Sequence, residues 1–244
     1  MMRWAALVLV AWAAPAWAVT CENIQYDGNR YTICTVDPAQ EELRLFLYDD
    51  NDAPLGQFSA VDRALADEGK ALSFAMNAGM YHDNRAPVGH YIEDGEEIMR
   101  VISNPGPGNF GLLPNGILCL RAGRADVFET LDYVDQAPDC THATQSGPML
   151  VIDGDLHPRF LTDSTSRFIR NGVGTAKDGS QAIFAISNNA VTFHEFGSLF
   201  RDHLQLPNAL FFDGNISRLY APDVNRDDFG FALGPIIGVV ETAN

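Results

Sequence analysis

The chain predicts an α+β fold, a mostly antiparallel or mixed sheet built from hairpins with a few helices. Three observations carry that expectation. Asp-Gly occurs at 27–28, 94–95, 153–154, 178–179 and 213–214, and Asn-Gly at 115–116 and 171–172. Both residues of such pairs tolerate positive φ, so each marks a hairpin turn. Short apolar runs flank most of these pairs: Leu43–Tyr48, Leu72–Met76, Ile117–Leu120, Met149–Ile152, Ala182–Ile186, Ala209–Phe212 and Ile236–Val240. Only two segments have helical period. Phe58, Val61, Ala64 and Leu65 form one stripe, with Ser59 as N-cap and Gly69 as the stop. Phe196, Leu199, Phe200, His203 and Leu204 form the other, ended by Pro207, with His203 expected to pack on the apolar stripe.

The 244 residues carry no low-complexity tract and no linker-like shift of composition, so one domain over 19–244 is the simplest division. Lys and Arg total 16 against 32 Asp and Glu, a net charge of -16. A surface of that sign repels nucleic-acid backbones and anionic bilayers, so neither is an expected partner. Only Lys70 and Lys177 are lysine; the other cations are arginines, which suit a few placed anion contacts.

Residues 1–18 read as a secretory signal peptide. Arg3 supplies the positive end, Trp4–Ala14 the apolar stretch, and Ala16-Trp17-Ala18 the small-x-small cleavage site. A periplasmic or secreted mature chain starting at Val19 is expected, with no membrane insertion after signal removal. An oxidising compartment favours disulfides among the four cysteines. Three connectivities are open; Cys21 with Cys34 and Cys119 with Cys140 close the shortest loops.

Several patterns lead nowhere. Gly106 to Gly111 matches G-x-G-x-x-G, but Pro105, Pro107 and Pro114 deny the helix that a dinucleotide site needs. Asp223, Asn225 and Asp227 alternate like a calcium loop, yet Asp228 stands where its Gly belongs. No cofactor and no metal site is expected.

Four segments stand out in order: Phe74 to Tyr81 (FAMNAGMY), Ser146 to Val151 (SGPMLV), Arg167 to Gly174 (RFIRNGVG) and Asn208 to Gly214 (NALFFDG). Together they resemble the phosphodiester glycosidase family, whose best-known member removes N-acetylglucosamine from a phosphodiester to uncover mannose 6-phosphate. The resemblance runs from about Leu43 to Val240 and looks nearest the compact bacterial members. One departure concerns the family's Asp-Gly-Gly-Gly-Ser turn, which here reads Asp213-Gly214-Asn215-Ile216-Ser217. It bears on which sugar fits more than on the reaction class.

The resemblance implies a hydrolase acting on a sugar 1-phosphodiester, in an envelope or exopolysaccharide glycan. Such chemistry needs carboxylates for proton transfer or oxocarbenium stabilisation, and donors for the phosphate. Asp213 closes the apolar run Ala209–Phe212 and is the candidate catalytic carboxylate. Arg170 is the candidate phosphate clamp, because its planar fork can hold two oxygens at once, and Arg167 is the second cation. Asn77, Gly79, Ser146, Gly147 and Gly214 are the candidate substrate-binding positions. Two rivals remain on the same residues, a non-catalytic glycan-binding or assembly protein and a metal-dependent phosphodiesterase.

Overall fold

The four Asp-Gly pairs that lie wholly among the described residues close hairpins, and the rest of the architecture follows from where their strands pair. The computed structural model describes residues 19–213 and 216–243; the expected signal peptide lies outside them. Along the chain, β1 (Thr20–Tyr26) and β2 (Asn29–Val36) precede β3 (Glu42–Phe46), α1 (Phe58–Ala66) and β4 (Lys70–Asn77). Next come β5 (Tyr91–Glu93), β6 (Glu96–Met99), β7 (Gly116–Arg121), β8 (Arg124–Glu129), α2 (Thr130–Gln136) and β9 (His142–Ser146). Then follow β10 (Met149–Ile152), β11 (Asp155–Leu156), β12 (Asn171–Thr175), β13 (Ala182–Ser187) and α3 (Phe193–Ser198). The chain closes with β14 (Asn208–Phe211), β15 (Leu219–Ala221), β16 (Arg226–Asp227) and β17 (Ile236–Thr242).

These strands form three antiparallel sheets, ordered β1-β2-β13-β12-β14-β10-β11, β16-β15-β4-β17-β3 and β6-β5-β9-β7-β8. The fold is α+β and mostly strand. Asp27-Gly28, Asp94-Gly95 and Asp153-Gly154 all have positive φ at both residues, the geometry that matches strand twist. Asp178-Gly179 sits in the turn between β12 and β13.

The two Asn-Gly pairs are not turns. Asn171 and Gly172 begin β12, where a Cβ on Gly172 would meet the Leu210 carbonyl oxygen at 2.4 Å. Asn115 precedes β7, its amide donating to the Phe110 carbonyl and accepting from the Thr130 hydroxyl. In both pairs the glycine admits a neighbouring chain and the asparagine makes tertiary bonds.

Side-chain alternation divides the core. From the seven-stranded sheet, Phe184, Leu210 and Phe212 pack toward the other two sheets, and Ile183, Ala209 and Phe211 toward α3. Each buried phenylalanine contributes about 1.5–3 kcal/mol relative to exposure. Helix α1 seats Phe58, Val61 and Leu65 on β4 and β17, and Gln57 rather than Ser59 is its N-cap. Helix α3 opens with a Thr192–Glu195 capping box and runs into a π-turn, Leu199–His203. The wider turn rotates His203 off the stripe: it is exposed, its ring 5.2 Å from that of Tyr26.

Disulfides join Cys21 to Cys34 across the β1–β2 hairpin and Cys119 to Cys140. Among the described residues no helix is long and apolar enough to cross a membrane. The 106–111 segment is a loop in which the Gly111 Cα lies against Gly106, so its glycines serve packing.

Candidate active site

The apolar runs of β4 and β14 both end in a polar residue, and the β12 strand beside β14 begins with one. These three ends converge. Asn77, the last residue of β4, is fully buried. Its Oδ1 accepts from the Arg218 main-chain N–H at 2.8 Å and from Asn171 Nδ2 at 3.0 Å. Asn171 Nδ2 also reaches the Asn77 carbonyl at 3.0 Å. Asn171 Oδ1 accepts from the Asp213 N–H at 3.3 Å and lies 3.2 Å from the Ser217 hydroxyl. The Ser217 hydroxyl is 2.9 Å from the Asp213 carbonyl. Ser146, the last residue of β9, donates its hydroxyl to the Phe212 carbonyl at 2.7 Å.

Asp213 is therefore held at its N–H, at its C=O and at the preceding carbonyl by side chains from three different segments. An acid on a loop is ordinarily mobile; here its main chain is part of a partly buried hydrogen-bond network, which is rigid when its members are satisfied. Asp213, Asn77 and Ser146 are brought together as the sequence suggests. Gly214 lies outside the described residues.

The glycines beside them serve packing. Gly79 has φ +42°, and a Cβ on it would meet Thr144 Oγ1 at 2.3 Å. Gly147 faces Asn115, whose Cβ would be 2.7 Å from the added carbon. Both let the β4 and β9 ends approach their neighbours.

Arg170 is placed elsewhere. It and Asn171 leave the chain on opposite faces of the sheet, Asn171 toward Asn77 and Arg170 toward Phe193 and Phe211. Arg170 is 1% exposed, and its guanidinium lies 3.6 Å from the Phe193 ring centroid. Nε donates to the Val191 carbonyl at 3.0 Å and Nη2 to the Ser166 carbonyl at 3.2 Å. Burial pulls its pKa down to about 10. Arg167 is half-exposed and pairs with Glu195 at 2.6 Å, on the α3 side.

Sequence reasoning missed Asn171, Ser217, Arg218 and Tyr81. The Arg218 guanidinium stacks over Phe58 at 5.0 Å and bonds the carbonyls of Asp228 and Phe231 and the Gln57 amide oxygen. It pins the 228–231 loop, whose Phe229 and Phe231 are 93% and 81% exposed. Beside it opens a groove of about 470 Å³, lined by Ile169, Ser217, Asn188, Arg226, Asp228 and Phe229. Burial chiefly, and then the Asp213 carboxylate, raises the Tyr81 phenol above its ordinary pKa, against the opposing charges of Arg85 and Arg218. Among the described residues no cluster of three or more His, Cys, Asp or Glu is arranged to hold a metal ion. Two of the three buried histidines make contacts that fix their rings. His90 lies between the Met99 carbonyl and the Tyr133 hydroxyl, and the His157 ring stacks on Phe160.

Comparisons with known proteins place the family and the fold. The chain is 31% identical over 208 residues to the uncharacterized protein YigE of Escherichia coli (strain K12), covering 84% of this chain and 81% of that one. Its fold is similar to the zebrafish N-acetylglucosamine-1-phosphodiester alpha-N-acetylglucosaminidase catalytic domain, auto-inhibited by its pro-peptide. That match has a TM-score of 0.62 and 12% identity, over 91% of this chain and 81% of that one. A hypothetical protein from Synechocystis matches with a TM-score of 0.59 and 14% identity, over 91% of this chain and 61% of the other. The phosphodiester glycosidase family model matches residues 70–240, a span that holds Asn77, Ser146, Asn171, Asp213 and Ser217. The chain belongs to the phosphodiester glycosidase family.

Proposed function

We propose that this protein is a periplasmic or secreted hydrolase that cleaves a sugar 1-phosphodiester in an envelope or exopolysaccharide glycan, with Asp213 as its catalytic carboxylate. The observation that carries the reading is the anchoring of the Asp213 main chain by Asn171, Ser217 and Ser146. An acid that acts on an anomeric centre must hold its position while charge develops, and a fixed backbone supplies that. Asp213 takes the proton of the attacking water or faces the oxocarbenium-like carbon. Asn77 and Asn171 set the geometry. The groove beside Ser217, with Phe229 at its rim, takes the glycan, since an aromatic face stacks on the apolar face of a sugar ring while Asn188 and Arg226 offer polar contacts. Arg170 holds the 166–170 segment to Val191 from the far face. The two disulfides fit an oxidising compartment.

Product analysis on a panel of sugar 1-phosphodiesters tests the reading. Release of free sugar and a phosphomonoester, with the C1–O bond broken, is the expected outcome. Release of a sugar 1-phosphate, or saturable binding without turnover, overturns it.

A further inference from the structure

The Tyr81 side chain is built into the site in a way that the cluster around Asp213 does not require. Its ring lies against Gly234: a Cβ there would come within 2.4 Å of the Tyr81 ring. The chain then folds back on itself, with His82 N–H bonded to the Ala86 carbonyl and Val88 N–H to the Met80 carbonyl, each within 2.9 Å. That closure places Arg85 at φ +73° and its guanidinium 5.3 Å from the Tyr81 ring centroid. The ring is thus clamped between a glycine and a cation. Its hydroxyl is buried, yet among the described residues nothing bonds it. A buried hydroxyl without a partner costs stability, and a ligand oxygen at this position would supply the missing bond.

We propose that the Tyr81 hydroxyl and the Arg85 guanidinium together bind the phosphate group of the ligand, Tyr81 donating its hydrogen bond to a phosphoryl oxygen beside the Asp213 carboxylate. The inference rests on the reading of Asp213 as the acid of a phosphodiester hydrolase and adds the anion site that reading needs. The electrostatics fit: burial, and then the Asp213 charge, favour the protonated phenol, and a protonated phenol is a donor. In the hydrolysis, water attacks C1 and the C1–O bond breaks, the pair staying on the phosphate oxygen. The water proton passes to Asp213. The phosphodiester monoanion leaves as a phosphomonoester, whose added negative charge falls on the oxygens that Tyr81 and Arg85 face. Each donor therefore stabilises product-side charge more than the bound substrate, which is what accelerates the step.

Calorimetric titration of the mature chain with methyl phosphate tests this without relying on turnover. The wild-type chain is expected to bind. Tyr81→Phe keeps the ring on Gly234 and is expected to weaken binding roughly tenfold, the loss of one hydrogen bond to a charged oxygen. Arg85→Ala, on an accessible loop, is expected to weaken it at least as much, and it stands in should Tyr81→Phe fail to fold. Tyr220→Phe, on β15, leaves binding unchanged. Asp213→Asn removes the negative charge nearby and binds at least as tightly as wild type, even though the hydrolase reading makes it inactive. No binding by the wild-type chain, or wild-type affinity in both Tyr81→Phe and Arg85→Ala, overturns the phosphate site and leaves Asp213 standing. Weakened binding in a protein that hydrolyses no sugar 1-phosphodiester upholds the site and removes the hydrolase reading instead.

Discussion

Strands β12 and β14 run antiparallel, and their two ends use charge in opposite ways. At the end marked by Thr175 and Asn208 lies the larger cavity, about 560 Å³, lined by Arg121, Arg124, Asp126 and Lys177 among others. One of its four carboxylates is satisfied within the protein: Asp126 takes Arg124 at 2.7 and 2.8 Å, and Arg121 beside it. Burial pushes the Asp126 carboxyl up, but the bonds from Arg124 and Arg121 outweigh it and hold it below the usual range. At the other end, marked by Asn171 and Phe211, the groove is smaller and the buried polar side chains act on main-chain atoms of Asp213 and Phe212. One end is an ion pair that closes on itself; the other fixes an acid in place. If Asp213 is the acid, the site lies at the smaller groove, and cavity size alone picks the other end.

Exchanging the two acids breaks or confirms this contrast. Asp213→Asn keeps the shape and removes charge and basicity. We expect kcat on a sugar 1-phosphodiester to fall by at least about 10²-fold, with the melting temperature near wild type. Asp126→Asn, at the opposite end, is expected to keep kcat and to lose about 1–2 kcal/mol in denaturant unfolding, since two arginines then face a neutral amide. Asp178→Asn is the internal control, because its carboxylate accepts from the Ser180 N–H and hydroxyl in an exposed turn, which an amide oxygen also does. If the Asp126 variant loses turnover and the Asp213 variant does not, the ends are assigned the wrong way round.

Asn171→Ala sharpens the same contrast at smaller scale. It removes the acceptor for the Asp213 N–H and both donors to Asn77. A stability loss of about 1–3 kcal/mol is expected from the buried groups left unbonded. Turnover of the remaining folded protein should fall about tenfold, since a loosened acid loses part of its positioning. Unchanged turnover in a folded Asn171→Ala chain means that the network supports the fold and not the acid.

How much of this could be read from the sequence follows from the range of each interaction. The Asp-Gly hairpins were legible because positive φ is a local demand of two residues. The Asn-Gly pairs misled because the same letters serve a distant purpose. Asn171 bonds a residue 94 positions away, and Gly172 yields to the Leu210 carbonyl. Helix α2 was invisible: it spans seven residues, is capped by the Glu129 side chain, and buries only Thr130 and Tyr133. The π-turn changed the face of His203 in a way that a period of 3.6 cannot express. In the site, Asn77, Ser146 and Asp213 were legible as polar residues at strand ends or after apolar runs. Arg170 and Asn171 are adjacent in sequence and differ only in the face they take, and the arginine was the more conspicuous of the two. Ser217, Arg218 and Tyr81 gain their roles from partners 46, 141 and more than 100 residues distant, which no local pattern reports.

The smallest expected effect separates stability from the site altogether, through a second acid whose burial is not compensated by cations. Glu93, on β5, accepts the Tyr91 hydroxyl at 2.7 Å. Burial, aided by the charge of Asp94, pushes its pKa up to about 7, against the bond from Tyr91. Asp126 is the opposite case, held low by two arginines. A carboxyl raised in the folded state binds its proton more tightly there than in the unfolded chain. Between the ordinary carboxylate pKa and about 7 the folded state holds the extra proton, so stability falls as pH rises through that window. We expect the melting temperature to drop by roughly 2–4 °C from pH 5 to pH 8 on this account, the shift that about 1 kcal/mol produces in a chain of this size. Glu93→Gln keeps an acceptor for Tyr91 and cannot ionise, so its melting temperature should lose that slope while kcat at each pH stays at the wild-type value. An unchanged slope in Glu93→Gln would place the pH dependence elsewhere. A change in the kcat profile would tie β5 to the Asp213 end, against the separation of structure and site drawn from the two ends of β12 and β14.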